Sequence, residues 1–460
     1  MNGTGTKIID QPLSRFNFGR ALFQIGIVAV GIIFLFFIIV MKANSGADWN
    51  FEPTLFIYTI FITTFQLSRL IGAMFYESSY AGFIKGKKNA DSRGDFVAGP
   101  VFGSVQHSVY EPTVTFVIPC KNEEGAISET VGNCFRADYP KSKLEVIVVN
   151  DGSTDGTEQK LGELKNKYQN LTVINWKNNQ GKKHAMAEGF RKARGEIVVQ
   201  LDSDSYVNPK TFRKIIEPFE NQEVGAVSAH TDPANADKNI LTKMQSAYYF
   251  TSFRILKAAE STFATVLCCS GCASAYRKEY VLHTLDEWLG EKFLGKPVTW
   301  GDDRALTSRV LKQGYKTLYT NQATAKTIVP ESFAKLIKQQ VRWKKSWFVN
   351  ALYNAKFIWK TQPFVALTYF FPLIAVSFLS PIMSVRALIY LPFIKGVLPF
   401  YHIVGILMVA AIFAAYYRLV ANKNKYWPYF FLWSLFNLFI LSFLMFYSLA
   451  RLNDRRWGTR

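Results

Sequence analysis

Residues 21–41, ALFQIGIVAVGIIFLFFIIVM, contain no charged side chain. As a helix rising about 1.5 Å per residue, this run crosses a hydrocarbon layer of roughly 30 Å with its peptide groups satisfied internally. It is too long for a signal-peptide core. A second run, TLFIYTIFITTFQLSRLIGAMFY (54–76), follows closely with Arg69 as its one charge. Arg15 and Arg20 precede the pair, Lys85, Lys87 and Lys88 follow it, and the short loop between holds Lys42 as its only basic residue. The positive-inside rule makes this a hairpin with both ends in the cytoplasm.

Further apolar runs close the chain at 364–385, 400–418 and 428–450, with a proline-broken stretch at 386–400. Either four segments span here, or two spans are followed by a re-entrant segment at 428–450. Arg418, Lys423 and Lys425 before that last run, and the basic tail after it, place both of its ends on one side and favour the re-entrant solution. A net charge of +20 beside 49% hydrophobic residues fits a membrane protein with a basic cytoplasmic face. The uncharged runs argue against a nucleic-acid partner.

Between the apolar ends, short buried-strand patterns alternate with polar helical ones. TVTFVIPC (113–120), LEVIVVN (144–150), LTVINW (171–176) and EIVVQL (196–201) read as strands, and 124–137 reads as an amphipathic helix. This rhythm predicts a parallel doubly wound sheet, whose ligands sit beyond the carboxyl ends of the strands. Three polar clusters lie there: Pro119-Cys120-Lys121-Asn122-Glu123-Glu124, Asp151-Gly152-Ser153-Thr154-Asp155-Gly156, and Asp202-Ser203-Asp204. Each alone is compatible with ordinary turn chemistry. Together they predict an acidic rim, with Asp202 and Asp204 suited to Mg2+ or Mn2+ bridging a diphosphate. Residues 179–184, NQGKKH, add cations near that rim. No P-loop and no GxGxxG after the first strand is present.

Two later motifs carry alternatives. In WGDDR, Asp302 and Asp303 are either a helix N-terminus favoured by the dipole or an acidic site. In QQVRW, Gln339 and Arg342 share a helical face with Trp343 one position on, and the helix is either an interfacial anchor or a binding element. Lys335, Lys338, Lys344 and Lys345 around it are expected to meet lipid headgroups. The cysteines are Cys120, Cys134, Cys268, Cys269 and Cys272; Cys269 and Cys272 have CxxC spacing without companion ligands, so reduced, buried thiols are expected.

VIPCKNEEG, VVNDGSTDGT, DSD, WGDDR and QQVRW, in this order, resemble the family-2 glycosyltransferases, specifically the processive membrane-bound synthases. FLGKPVTWGDDRALT, KLIKQQVRWKKSWF and the terminal WGTR look most like hyaluronan synthases, and CCSGCASAYRKE is also similar to the chitooligosaccharide synthases. The resemblance implies a GT-A-like α/β cytosolic domain attached to an α-helical transmembrane domain. Its divisions are an N-terminal hairpin (1–80), a glycosyltransferase domain (81–330), interface helices bearing QxxRW (331–362), and C-terminal transmembrane and re-entrant segments (363–460).

It further implies inverting transfer from a UDP-sugar to a growing chain in the cell membrane. Asp303 would be the base and Asp302 would orient the loop or pair with Arg304. Pro119, Lys121, Asn122, Glu123, Asp151, Lys182, Asp202 and Arg342 would bind the donor. Asp204, with Asp202, would hold the metal. Ser270, Gly271, Cys272, Gln339 and Trp343 would meet the acceptor, and Trp457, Thr459 and Arg460 would close over the donor. One departure stands out: Gly271-Cys272 replaces the Gly-Pro of these relatives.

The implied donors are UDP-GlcNAc and UDP-glucuronate, with a chitin-type synthase using UDP-GlcNAc alone as the nearest rival. A non-processive transferase would lack QxxRW. A carrier would need paired ionisable groups in its spans, where only Arg69, Arg386 and Lys395 occur.

Overall fold

The structure is a computed structural model that describes residues 53–90, 110–420 and 425–454, and six helical positions between Gly26 and Phe37. The first apolar run, residues 91–109 and the tail bearing Trp457, Thr459 and Arg460 otherwise lie outside the described residues.

Eight strands build the main sheet: β1 (Val114–Cys120), β2 (Leu144–Asp151), β3 (Leu171–Trp176), β4 (Ile197–Gln200), β5 (Ser205–Val207), β6 (Val224–Pro233), β7 (Ser274–Arg277) and, after the small hairpin β8 (Lys292–Phe293) and β9 (Lys296–Pro297), β10 (Lys316–Thr327). Their order is β3-β2-β1-β4-β7-β6-β10-β5. The first four are parallel throughout. Every residue of β1, β2 and β4 is buried, which is why they read as unbroken apolar runs rather than alternating ones.

The fully parallel expectation stops at β4. There β7 inserts antiparallel, pairing Gln200 with Ser274, and β6 pairs antiparallel with β7. The inversion has a functional result. A strand running backwards starts at the rim where its neighbours end, so Ser270–Cys272 arrives beside the end of β4, and the Asp202 amide donates to the Gly271 carbonyl at 2.9 Å. Because β6 and β10 then run parallel, β10 also ends at this rim and launches the helix Phe333–Ala355 from it.

The second apolar run forms part of a helix, Pro53–Ala90, that continues ten residues past the expected boundary at 80. Gly72 lets it approach Ala259, where an added Cβ would lie 3.0 Å from the Ala259 Cβ. The Tyr76 hydroxyl donates to the Tyr319 carbonyl at 2.9 Å, which fixes this helix to β10. Among the described residues, three helices are long and apolar enough to cross a membrane: Pro53–Glu77, Pro363–Lys395 and His402–Val420. Tyr429–Leu441 and Leu444–Ala450 form a further pair bent by 42°.

The proline-broken stretch is helical as far as Lys395. Wide π-turns at Ala366–Phe370 and Arg386–Tyr390 immediately precede Pro372 and Pro392. A proline has no N–H to donate and its ring crowds the carbonyl one turn back, so a widened turn keeps the helix running.

Candidate active site

The loops after β1 and β2 interlock. Asn122, held at φ 54, accepts the Thr154 amide on Oδ1 at 2.8 Å. Its own amide donates to Ser153 Oγ at 2.9 Å, and the Glu123 amide donates to Thr157 Oγ1 at 2.8 Å. Asp151 is the hinge to the third loop: its carboxylate accepts the Gln180 amide at 2.6 Å, the Gly181 amide at 3.0 Å and Asn179 Nδ2 at 3.0 Å. Burial raises the Asp151 pKa against those bonds. This carboxylate therefore organises the loop carrying Lys182. Pro119 is buried within β1 and Lys121 is exposed, whereas Asn122 and Glu123 line the cavity described below.

Lys182 and Lys183 diverge. Lys182 Nζ lies 2.6 Å from Asp202 Oδ1 and 3.8 Å from Asp302 Oδ2. Lys183 turns inward to Glu291 at 2.9 Å. Burial disfavours charge on Lys182, yet Asp202, Asp302 and Asp303 together raise its pKa.

WGDDR resolves both of its readings at once. Asp302 and Asp303 do open a helix, Asp302–Lys312, after Gly301 at φ 81. A Cβ on Gly301 would collide with Ser346, so this glycine lets the WGDDR turn dock against the QxxRW helix. Asp302 is buried, and its partner is Lys182, not the expected Arg304; the Trp288 indole donates to its carbonyl at 3.1 Å. Burial raises the Asp302 pKa to about 6, with Lys182 opposing and Asp303 adding. Asp303 faces the Ser270–Cys272 loop: its Oδ2 accepts the Gly271 amide at 3.3 Å and the Cys268 thiol at 3.7 Å, while Oδ1 accepts the Arg304 amide at 2.8 Å.

A continuous cavity of about 1330 Å³ joins these groups. Asp202, Asp204, Asp303 and Arg342 line one part; Ser380, Ser384, His402, Val409 and Met445, all on helices of the apolar C-terminal region, line another. Between them stands an aromatic stack. The Tyr248 ring lies 6.2 Å from Trp343 and 4.7 Å from Trp433, both at 29°. Ser270, Gly271, Cys272 and Gln339 also line the cavity. Ser270 Oγ, Gln339 Oε1 and Asp302 Oδ1 are buried without a hydrogen-bond partner, the mark of a site shaped for a polar ligand. Burial lowers the Arg342 pKa, and Asp302, Asp202, Asp303 and Asp204 act in the opposite sense.

Sequence reasoning missed Tyr248 and Trp433, whose apolar helices carry no local signal for a stack. It also misplaced two lysines. Lys344 lines the cavity, and Lys345 is buried with Nζ donating to the Asp454 carbonyl at 3.0 Å. Arg69 lies 4.0 Å over the Tyr369 ring, and the Tyr369 hydroxyl donates to Glu260 at 2.5 Å, a tie between helices rather than a transport pathway.

No group of three His, Cys, Asp or Glu side chains gathers as a metal cage among the described residues. Two carboxylates, Asp202 and Asp204, do share the cavity wall, and Gly271 leaves open the space beside Asp202 that a Cβ would fill at 2.9 Å. Such a pair suits an octahedral cation that takes its remaining oxygens from phosphate and water.

Residues 115–284 match the family described as Glycosyl transferase family 2. The chain is 30% identical over 361 residues to the hyaluronan synthase of Streptococcus pyogenes, covering 75% of this chain and 83% of that one. It is 32% identical over 245 residues to an N-acetylglucosaminyltransferase of Mesorhizobium japonicum, covering 52% and 57%. A mannosyltransferase from Pyrobaculum calidifontis, solved with GDP-Man and Mn2+, shares the fold with a TM-score of 0.54 at 21% identity, covering 85% of this chain and 99% of that one. With the rim, the WGDDR turn and the QxxRW helix converging on one cavity, the chain belongs to glycosyltransferase family 2 and is an enzyme related to hyaluronan synthases and N-acetylglucosaminyltransferases.

Proposed function

We propose that the enzyme is an inverting, processive polysaccharide synthase of the cell membrane, with UDP-GlcNAc and UDP-glucuronate as donors and hyaluronan as product. The observation that carries this reading is the continuity of the cavity from Asp303 to the apolar C-terminal helices. A transferase that released each product to water would need no such extension. Asp303 is the base: it takes the proton of the acceptor hydroxyl as that oxygen bonds to the anomeric carbon, while the bond from that carbon to the diphosphate breaks and its electrons leave with UDP. Lys182 and Arg342 offer cationic donors to the departing diphosphate. Trp343, with Tyr248 behind it, presents an aromatic face to the acceptor sugar, holding a new terminus without a covalent bond.

Asp202 and Asp204 would hold a Mg2+ or Mn2+ ion, a reading supported by the Mn2+ in the mannosyltransferase structure. When bound, the ion neutralises charge on the diphosphate. The catalytic domain would face the cytosol, with 428–450 entering and returning and Trp457, Thr459 and Arg460 closing over the donor. Lys345 on the Asp454 carbonyl starts that tail beside the QxxRW helix.

The test incubates purified enzyme and Mn2+ with each donor singly and then together. Polymer only from the pair supports hyaluronan. Polymer from UDP-GlcNAc alone favours the chitin-type rival, which the N-acetylglucosaminyltransferase similarity keeps in view.

A further inference from the structure

The cavity wall carries several cations, and most of them lie beside acidic side chains or a carbonyl, or in solvent. Lys182 has Asp202 and Asp302. Arg342 faces the four aspartates of the rim. Arg304 lies near Asp303 and Glu260, and Lys257 donates to the Cys268 carbonyl. Lys335 is exposed. Lys344 differs from all of them. It lines the cavity, and among the described residues no hydrogen bond, ion pair or aromatic ring engages its ammonium. Burial alone acts on it, lowering its pKa to about 8 with no carboxylate in opposition.

Such a group is costly to keep. A half-buried ammonium without a counter-charge among the described residues opposes folding, and a glutamine or serine would line the same wall without that penalty. Its position suggests what answers it. Lys344 follows Trp343, about 100° around the helix and about 1.5 Å further along its axis, and both line the cavity. Trp347, one turn on, packs against Phe378 of the Pro363–Lys395 helix at 6.1 Å. Lys344 therefore stands where the aromatic stack gives way to the apolar helices.

We infer that Lys344 is an anion subsite for the carboxylate of a uronic-acid residue in the growing chain, and so a specificity-determining residue for a charged polymer. The inference rests on the processive reading above and sharpens its choice of product. A chain of N-acetylglucosamine alone brings no charge past this point, whereas an alternating chain brings one carboxylate with every second sugar. Each passage then exchanges an unpaired cation for a charge-assisted contact, and the contact is weak enough to release when the next sugar arrives.

The experiment measures binding, not synthesis. Full-length enzyme is titrated with a hyaluronan decasaccharide and with the same oligosaccharide after its carboxyl groups are reduced to alcohols. The expected result is an affinity for the carboxylated probe on the order of tenfold higher. Lys344→Gln should remove that difference while leaving affinity for the neutral probe in place, and Lys344→Arg should preserve it. Equal affinities in the wild type, a difference that survives Lys344→Gln, or one lost in Lys344→Arg overturns the assignment. Loss of both probes in Lys344→Gln marks a packing role and overturns it too. Polymer synthesis from the two donors is measured on the same preparation, so product from UDP-GlcNAc alone would end the hyaluronan reading independently of the binding result.

Discussion

Lys182 Nζ lies 2.6 Å from Asp202 Oδ1, so one carboxylate proposed for the metal is engaged by an ammonium. A divalent cation at Asp202 must share or displace that contact, and an incoming diphosphate gives the lysine somewhere to go. On the proposed assignment of Asp202 to the metal, the ion pair would link metal entry to nucleotide entry. Asp302 stands 3.8 Å from the same ammonium and provides a second resting partner.

Lys182→Met separates the two roles. Without nucleotide, the variant should bind Mn2+ several-fold more tightly, because a competing cation is gone. With UDP-sugar, kcat/KM should fall on the order of a hundredfold, because a donor to the leaving group is gone. Electron paramagnetic resonance of free Mn2+ reads the first and UDP release the second. Weaker metal binding in the variant would defeat the exchange.

Asp302 predicts a pH effect of definite sign. Folding moves its carboxyl from 3.8 to about 6 through burial, which at pH 7 corresponds to ~3 kcal/mol of lost stability. Between those values the folded state binds the extra proton, so this contribution worsens as pH rises from about 4 to 6 and is constant above. Asp302→Asn removes it. The thermal midpoint of the variant should exceed that of the wild type by several degrees at pH 7.5, and the gap should close towards pH 4.5. A gap of constant size would refute the buried-carboxyl account.

The rim was legible in the sequence because its physics is local. A buried parallel strand is an apolar run and the loop after it faces the ligand, so residue order alone puts the clusters at Asn122, Asp151 and Asp202 on one edge. The acidic pair of WGDDR likewise carried its own warning in two adjacent charges. Long-range placement was not legible. Nothing in Ser274–Arg277 announces an antiparallel insertion, because burial on both faces writes the same residues in either direction. Lys344 and Lys345 are identical in sequence terms, yet a 100° step sends one to the cavity and the other to the Asp454 carbonyl.

Gly271 tests the shape of the metal position. A Cβ there would stand 2.8 Å from Gln200 Nε2 and 2.9 and 3.1 Å from the two Asp202 oxygens. Asp202 cannot simply retreat, since its amide is bonded to the Gly271 carbonyl and its carboxylate to Lys182. Gly271→Ala should therefore raise the Mn2+ concentration for half-maximal transfer by about tenfold and lower the thermal midpoint by a few degrees, since the clash falls on a held carboxylate and on the buried Gln200 side chain. Unaltered metal dependence would place the cation elsewhere.

Tyr248 is the centre of the aromatic stack, 6.2 Å from Trp343 and 4.7 Å from Trp433. Trp343 sits on the helix launched from β10 and Trp433 on the helix Tyr429–Phe436, so the tyrosine ring joins the catalytic rim to the apolar C-terminal region. Aromatic pairs contribute about 0.5–1.5 kcal/mol beyond their buried area, and losing two of them should loosen the grip on the chain end more than it slows one transfer. Tyr248→Ala should shorten the polymer several-fold while UDP release per enzyme falls less than threefold; Tyr248→Phe, which keeps the ring, should retain full-length product. Size-exclusion chromatography with light scattering reads the length. Equal loss of length and turnover in Tyr248→Ala would assign the ring to folding of the site instead of retention of the chain.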